Sequence, residues 1–170
     1  MELAAYNIKM ATTKDIDKIK SSIRQTMSSP EGKGVRKGLS DAVARRELLV
    51  LEHYDSKERV NKVEAFIEWH TRVDGTITIR DIGTSGEEPQ EGMAKRLLRE
   101  LLRIASPAEA RTKLRADQAQ WNAIFKDIPG FQLEGQEYSR PHWRNLWLWT
   151  PEAERRERIP RERPRPARGR

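Results

Sequence analysis

Residues 91–105, EGMAKRLLRELLRIA, set Ala94, Leu97, Leu98, Leu101, Leu102 and Ala105 at the spacings of one helical face and leave Lys95, Arg96, Arg99, Glu100 and Arg103 on the other. A stripe that apolar has to be buried, and the residues before it say against what. ELLVLEHY (47–54), KVEAFIEWHTR (62–72) and TITIRDIGT (76–84) read as strands, the second with Val63, Ala65, Ile67 and Trp69 on one face. Val73-Asp74-Gly75 joins the last two, and Asp-Gly between alternating runs is a hairpin signal. The long helix is therefore expected to lie across an antiparallel meander.

The flanking segments extend this order. YNIKM (6–10) is a short strand, and Ile16, Ile19 and Ile23, following Thr residues placed as N-caps, predict a helix. SSPEGKGVRKG is a loop that leads into a short helix at DAVARRE. Past residue 105 come a strand around 112–116, a helix QWNAIFKDI stopped by Pro129-Gly130, and two closing strands, FQLEGQEY and WRNLWLW. The whole describes the α/β (α+β) class: one three-layer domain over residues 1–150, with a mixed, mostly antiparallel sheet flanked by helices. An exposed edge among the closing strands would suit a homodimer. Trp147 and Trp149 could pack in the core or stack on bases, and packing is the commoner use.

The last twenty residues have a different character. PEAERRERIPRERPRPARGR (151–170) holds eight Arg, four Glu and one large aliphatic residue, Ile159. Such a segment buries too little surface to offset its ordering entropy, so a disordered Arg/Pro-rich tail is expected. It carries +4 of the net +7, which leaves +3 for the domain. The tail could contact nucleic acid or an acidic partner through salt-sensitive charge contacts. The chain has no cysteine, which excludes thiolate nucleophiles, thiolate metal sites and disulfides. Neither a signal segment nor a membrane-length apolar run is present, so a cytoplasmic protein with no membrane partner is expected.

Gly92 has two uses open to it. It relieves crowding where a helix starts, or it leaves the first-turn N–H groups bare so that an anion can approach them. The segment is neither G-x-x-x-x-G-K-[ST] nor G-x-G-x-x-G, and the three His, at 53, 70 and 142, have no metal-site spacing. On EEPQEGMAKRLLRELL, IFKDIPGFQLEGQEY and the order of elements, residues 6–150 resemble the GNAT superfamily, the Gcn5-related N-acetyltransferases. Pro89 to Ala94 matches the family's [Q/R]-x-x-G-x-[G/A] loop at Gly92 and Ala94 and departs from it at Pro89; Phe125 to Phe131 matches an aromatic-x-x-x-x-Gly-Phe element.

The resemblance implies acetyl-CoA as co-substrate and a primary amine as acceptor, with direct transfer in a ternary complex. Backbone groups of Ile82, Gly83 and Thr84 would meet the pantetheine arm, and amides of Gln90, Glu91, Gly92, Met93, Ala94 and Lys95 would hold the pyrophosphate. Lys126 stands where many members have a tyrosine that protonates the departing thiolate. For the base, the sheet offers Glu68, His70 and Asp81, which are equally readable as ordinary polar strand residues. Lys33, Arg36 and Lys37 in the early loop would favour an anionic acceptor, or simply be solvated. The competing function is a GNAT-like binding module without efficient catalysis, and the departures at Pro89 and Lys126 favour it.

Overall fold

The computed structural model describes residues 6–32, 34–35 and 37–158. Along the chain run β1 (Tyr6–Met10), α1 (Thr13–Ser22), α2 (Leu39–Arg45), β2 (Leu48–Asp55), β3 (Val60–Thr71), β4 (Ile77–Thr84), α3 (Glu91–Ala105), β5 (Ala110–Arg115), α4 (Ala119–Asp127), β6 (Phe131–Ser139), β7 (His142–Trp149) and α5 (Pro151–Arg158). The strands form one sheet in the order β1-β2-β3-β4-β5-β7-β6. All neighbours are antiparallel except β4 and β5, which pair in parallel only at Ile77 with Ala110 and Thr78 with Arg111. Past those two pairs no ladder joins them among the described residues, so the sheet opens between the far ends of β4 and β5.

Two cores hold the layers together. On one face α3 and α4 bury Leu97, Leu98, Leu101, Trp121, Ile124 and Phe125 against the strands. Each fully buried leucine stabilises by about 2 kcal/mol before entropy is counted, which makes the α3 stripe the largest local contribution. On the other face Ile19, Ile23, Leu39 and Ala42 of the α1–α2 layer cover Leu48, Val50, Val63 and Phe66. Val63 therefore faces away from Ala65, Ile67 and Trp69, against expectation. Leu51 pairs with Ala65 and Glu52 with Val63, so Glu64 is an extra, bulged residue, and one such residue inverts the facing of everything before it. Trp147 and Trp149 are core residues, whereas Trp143 is 56% exposed.

The C-terminal segment also departs from the expected tail, because Pro151–Arg158 form a helix. Thr150 Oγ1 accepts the Ala153 N–H at 3.1 Å, Pro151 starts the helix where its missing N–H costs nothing, and Ala153 is buried. Glu157 Oε2 accepts the Gly130 N–H at 3.0 Å and ties the helix to the turn before β6. Composition averaged over twenty residues hides a cap and one buried methyl. Residues 159–170 lie outside the described residues, as do Lys33 and Arg36 of the early basic loop. Among the described residues no helix is long and apolar enough to cross a membrane.

Candidate active site

The first turn of α3 opens beside the gap between β4 and β5. Thr84, buried at the end of β4, accepts the Gln90 N–H on its hydroxyl at 2.9 Å and so fixes the connecting loop. Helical bonding starts with Ala94 N–H to Gln90 O at 3.0 Å. Between them the N–H groups of Glu91, Gly92 and Met93 meet no acceptor among the described residues. Three aligned, unpaired donors at the positive end of a fifteen-residue helix have the geometry that can receive an anion. A Cβ on Gly92 would have nothing within 4 Å, and its φ is not left-handed. Neither packing nor backbone conformation within the chain requires a glycine there, although glycine weakens a helix by about 0.5–1 kcal/mol relative to alanine. Crowding therefore gives no reason for a glycine at this position.

Side-chain charge contributes less than expected. Lys95 bridges Glu91 at 2.7 Å and Asp127 at 2.9 Å, so its ammonium is already matched. These carboxylates hold Lys95 above its ordinary pKa, Glu91 foremost. Positive potential at the helix start therefore comes mainly from the peptide N–H groups. Gln90 N–H is excluded by its bond to Thr84, and that bond also occupies the Thr84 hydroxyl.

The gap is entered from the other face by a segment that sequence reasoning missed. Thr26 makes an isolated antiparallel bridge with Gly83, and Met27 N–H donates to Ile82 O at 2.8 Å. Met27 itself is 3% exposed and belongs to the α3–α4 core, although it is flanked by α1–α2 layer residues in the chain. Residues 26–29 thus form a strap along β4. Ile82 O, expected to serve a pantetheine arm, is taken in this arrangement. No local pattern could reveal this contact, since its partners lie more than fifty residues apart.

Asp81 anchors the strap. Its Oδ1 accepts the N–H of Ser28 at 2.9 Å and of Ile82 at 3.0 Å, and its Oδ2 accepts the Ser28 hydroxyl at 2.6 Å. Asp81 is fully buried while Ser28 is exposed. Burial pushes the Asp81 carboxyl up to about 6, against the pull of the Ser28 and Ile82 hydrogen bonds. A carboxyl raised in the folded state binds its proton more tightly there than in the unfolded chain. Its contribution to stability is therefore complete below about pH 4 and is lost as pH rises through about 6, by about 3 kcal/mol. Asp81→Asn keeps the acceptor for both N–H groups and a donor for Ser28 Oγ. The stability of the variant relative to wild type is expected to increase between pH 4 and 7 in urea titrations; a difference independent of pH would refute the assignment.

Of the other proposed catalytic groups, Glu68 is the partner of Asp81 across the β3–β4 ladder, so the two share a face of the sheet, and it lines a cavity of about 60 Å³ under α2 with Arg45 and Arg80. His70 stands 3.6 Å from Glu47 through Nδ1. Lys126 is exposed on α4, on the opposite side of the sheet.

No protein-family model and no curated protein matches the sequence. Solved structures do resemble it. An acetyltransferase of the GNAT family from Bacillus cereus superposes with a TM-score of 0.64 at 12% identity, over 85% of this chain and 96% of that one. The ribosomal-protein-S18-alanine N-acetyltransferase of Escherichia coli gives 0.64 at 16%, over 85% and 92%. Salmonella typhimurium yncA, solved with its cofactor acetyl-CoA, gives 0.60 at 14%, over 85% and 93%. Sheet order, the β4–β5 opening and the two helical layers identify the architecture: this chain has the fold of the GNAT acetyltransferases.

Proposed function

We propose that residues 1–150 are an acyl-CoA N-acyltransferase domain that passes the acetyl group of acetyl-CoA to a primary amine by direct transfer in a ternary complex. One observation carries this: the Glu91, Gly92 and Met93 N–H groups are unpaired, with open space at Gly92, where the sheet parts. Those groups fit a pyrophosphate, and Ala94 continues the turn without a bulky side chain. When bound, acetyl-CoA supplies an acetyl group activated as a thioester. The chain's own part is to hold it, to orient the amine and to take a proton.

For the proton, Asp81 working through Ser28 is the best-placed group. Ser28 Oγ is at the surface and 2.6 Å from Asp81 Oδ2. As the amine nitrogen bonds to the acetyl carbon and the thioester C–S bond breaks to release the CoA thiolate, the amine proton passes to Ser28 Oγ while the Ser28 hydroxyl proton passes to Asp81. A carboxyl held near 6 accepts protons at neutral pH better than an ordinary aspartate. Lys126 supplies positive charge on the α4 side, and Glu68 keeps a structural part beneath α2.

The second reading, a GNAT-fold binding module that does not transfer acetyl groups, is favoured by the strap, because Met27 and its bond to Ile82 O occupy the gap. A thermal-shift titration separates the two. A ligand bound only by the folded state raises stability by RT ln(1 + [L]/Kd), about 2.7 kcal/mol at a hundredfold excess over Kd. Acetyl-CoA is expected to raise Tm in a saturable way; no rise at millimolar ligand rejects the transferase.

A further inference from the structure

A groove of about 790 Å³ lies between α3 and α5, away from the first turn of α3. Arg96, Arg99 and Arg103 line it from α3 and Arg155 and Arg158 from α5, against only Glu100 and Glu154. Arg103 is paired with Glu100, and Arg158 with Glu154 at 2.8 Å. Of the other three guanidiniums, Arg155 makes a long ion pair with Glu152 at 3.9 Å, Arg96 meets the Tyr6 carbonyl at 3.4 Å and feels the Glu100 charge, and Arg99 has no carboxylate within 4 Å among the described residues. Arg99 and Arg155 are both exposed. Where the described chain leaves this groove, after Arg158, the next twelve residues of sequence add five Arg against one Glu.

We propose that this groove is a docking surface for the phosphate backbone of double-helical nucleic acid. Planar guanidiniums, rather than lysines, are all that supply its charge, and their forked donors match phosphate oxygens. The lining excludes two competitors on chemical grounds. No aromatic side chain borders the groove, so it lacks the stacking platforms that hold single strands. Of its apolar members Leu102 and Ile128 are buried and Ile8 alone is half-buried, so it lacks the row of open apolar pockets that anchors a peptide helix. What remains is charge that contacts phosphates without reading bases. This proposal does not depend on acetyl transfer.

The test uses the full chain and fluorescently labelled duplexes of about 20 base pairs, one RNA and one DNA, titrated by anisotropy from about 50 to 200 mM KCl. Both duplexes are expected to bind, with affinity falling steeply as salt rises. Arg99→Glu combined with Arg155→Glu is expected to weaken binding at least tenfold and to flatten the log–log salt slope by about 2, one for each lost phosphate contact. Arg111→Glu with Lys113→Glu makes the same charge change on exposed β5 residues already paired with Glu109 and Glu137. That control is expected to bind within threefold of wild type, and the Tm of both variants is expected to stay within a few degrees of it. No duplex binding at the lowest salt, equal loss in the control, or no loss in the groove variant would each overturn the proposal. So would tighter binding of polyglutamate or of a single strand, either of which would assign the groove to that partner.

Discussion

Gly92→Glu is expected to abolish acetyl-CoA binding while leaving the fold as stable as wild type. The new side chain would point into space that holds no atom of the chain within 4 Å, so it meets no steric resistance. At the second position of α3 a glutamate is also a better helix former than glycine, by about 0.5 kcal/mol, and its charge suits the positive helix end. The same charge opposes a diphosphate. Two unit charges about 4 Å apart near a protein surface repel by about 4 kcal/mol, and solvent screening reduces this. A hundredfold loss of affinity, about 2.7 kcal/mol, is the expected minimum. Calorimetric titration with acetyl-CoA reads the affinity and a thermal melt reads the fold. Unaltered affinity would remove the anion site from the account, and a parallel loss of Tm would return Gly92 to a structural role.

Gly83→Ala has the opposite expectation: a heavy loss of stability from the smallest of additions. A Cβ there would come within 2.4 Å of Phe66 Cε1, 2.7 Å of Ile23 Cγ2 and 3.1 Å of Thr26 Cγ2. Phe66 and Ile23 are fully buried in the α1–α2 core and cannot swing into solvent. Overpacking of this kind costs about 3 kcal/mol, which in a domain of this size lowers Tm by roughly 10 °C. Because Thr26 bridges Gly83, the strap moves with it. Phe66→Leu removes the closest obstacle, so in the double variant the cost of Gly83→Ala should shrink by more than half. A Gly83→Ala protein that melts within 2 °C of wild type would show that the close approach of the strap is not maintained in solution.

Neither glycine's role can be read from the sequence, Gly83 near the end of a strand and Gly92 opening a helix, yet their environments differ completely. That contrast marks where sequence reasoning stopped. The α3 stripe was legible because helical spacing is a local property, and so was the β3–β4 hairpin because Asp74-Gly75 specifies its turn. The facing of Val63 was not legible, since a bulge is decided by the partner strand. The helix in Pro151–Arg158 was obscured for a related reason: the docking of Ala153 and the bond from Gly130 to Glu157, 27 residues apart, depend on a turn far upstream.

The same division holds for the candidate site. Gly92, Met93 and Ala94 could be singled out because helix N-termini present unpaired donors wherever they occur. The strap could not, because Met27 and Ser28 are distant in the chain from Asp81 and Ile82 and meet them only when residues 26–29 pair along β4. Asp81 was chosen for its residue type, but its burial and raised pKa come from the layer folded over it. By itself the sequence determined the periodicities, the turn chemistry and thereby the order of helices and strands. Only the tertiary structure decided which polar groups were shut away from water and which were left without a partner, because desolvation and hydrogen-bond pairing depend on neighbours brought together by the fold.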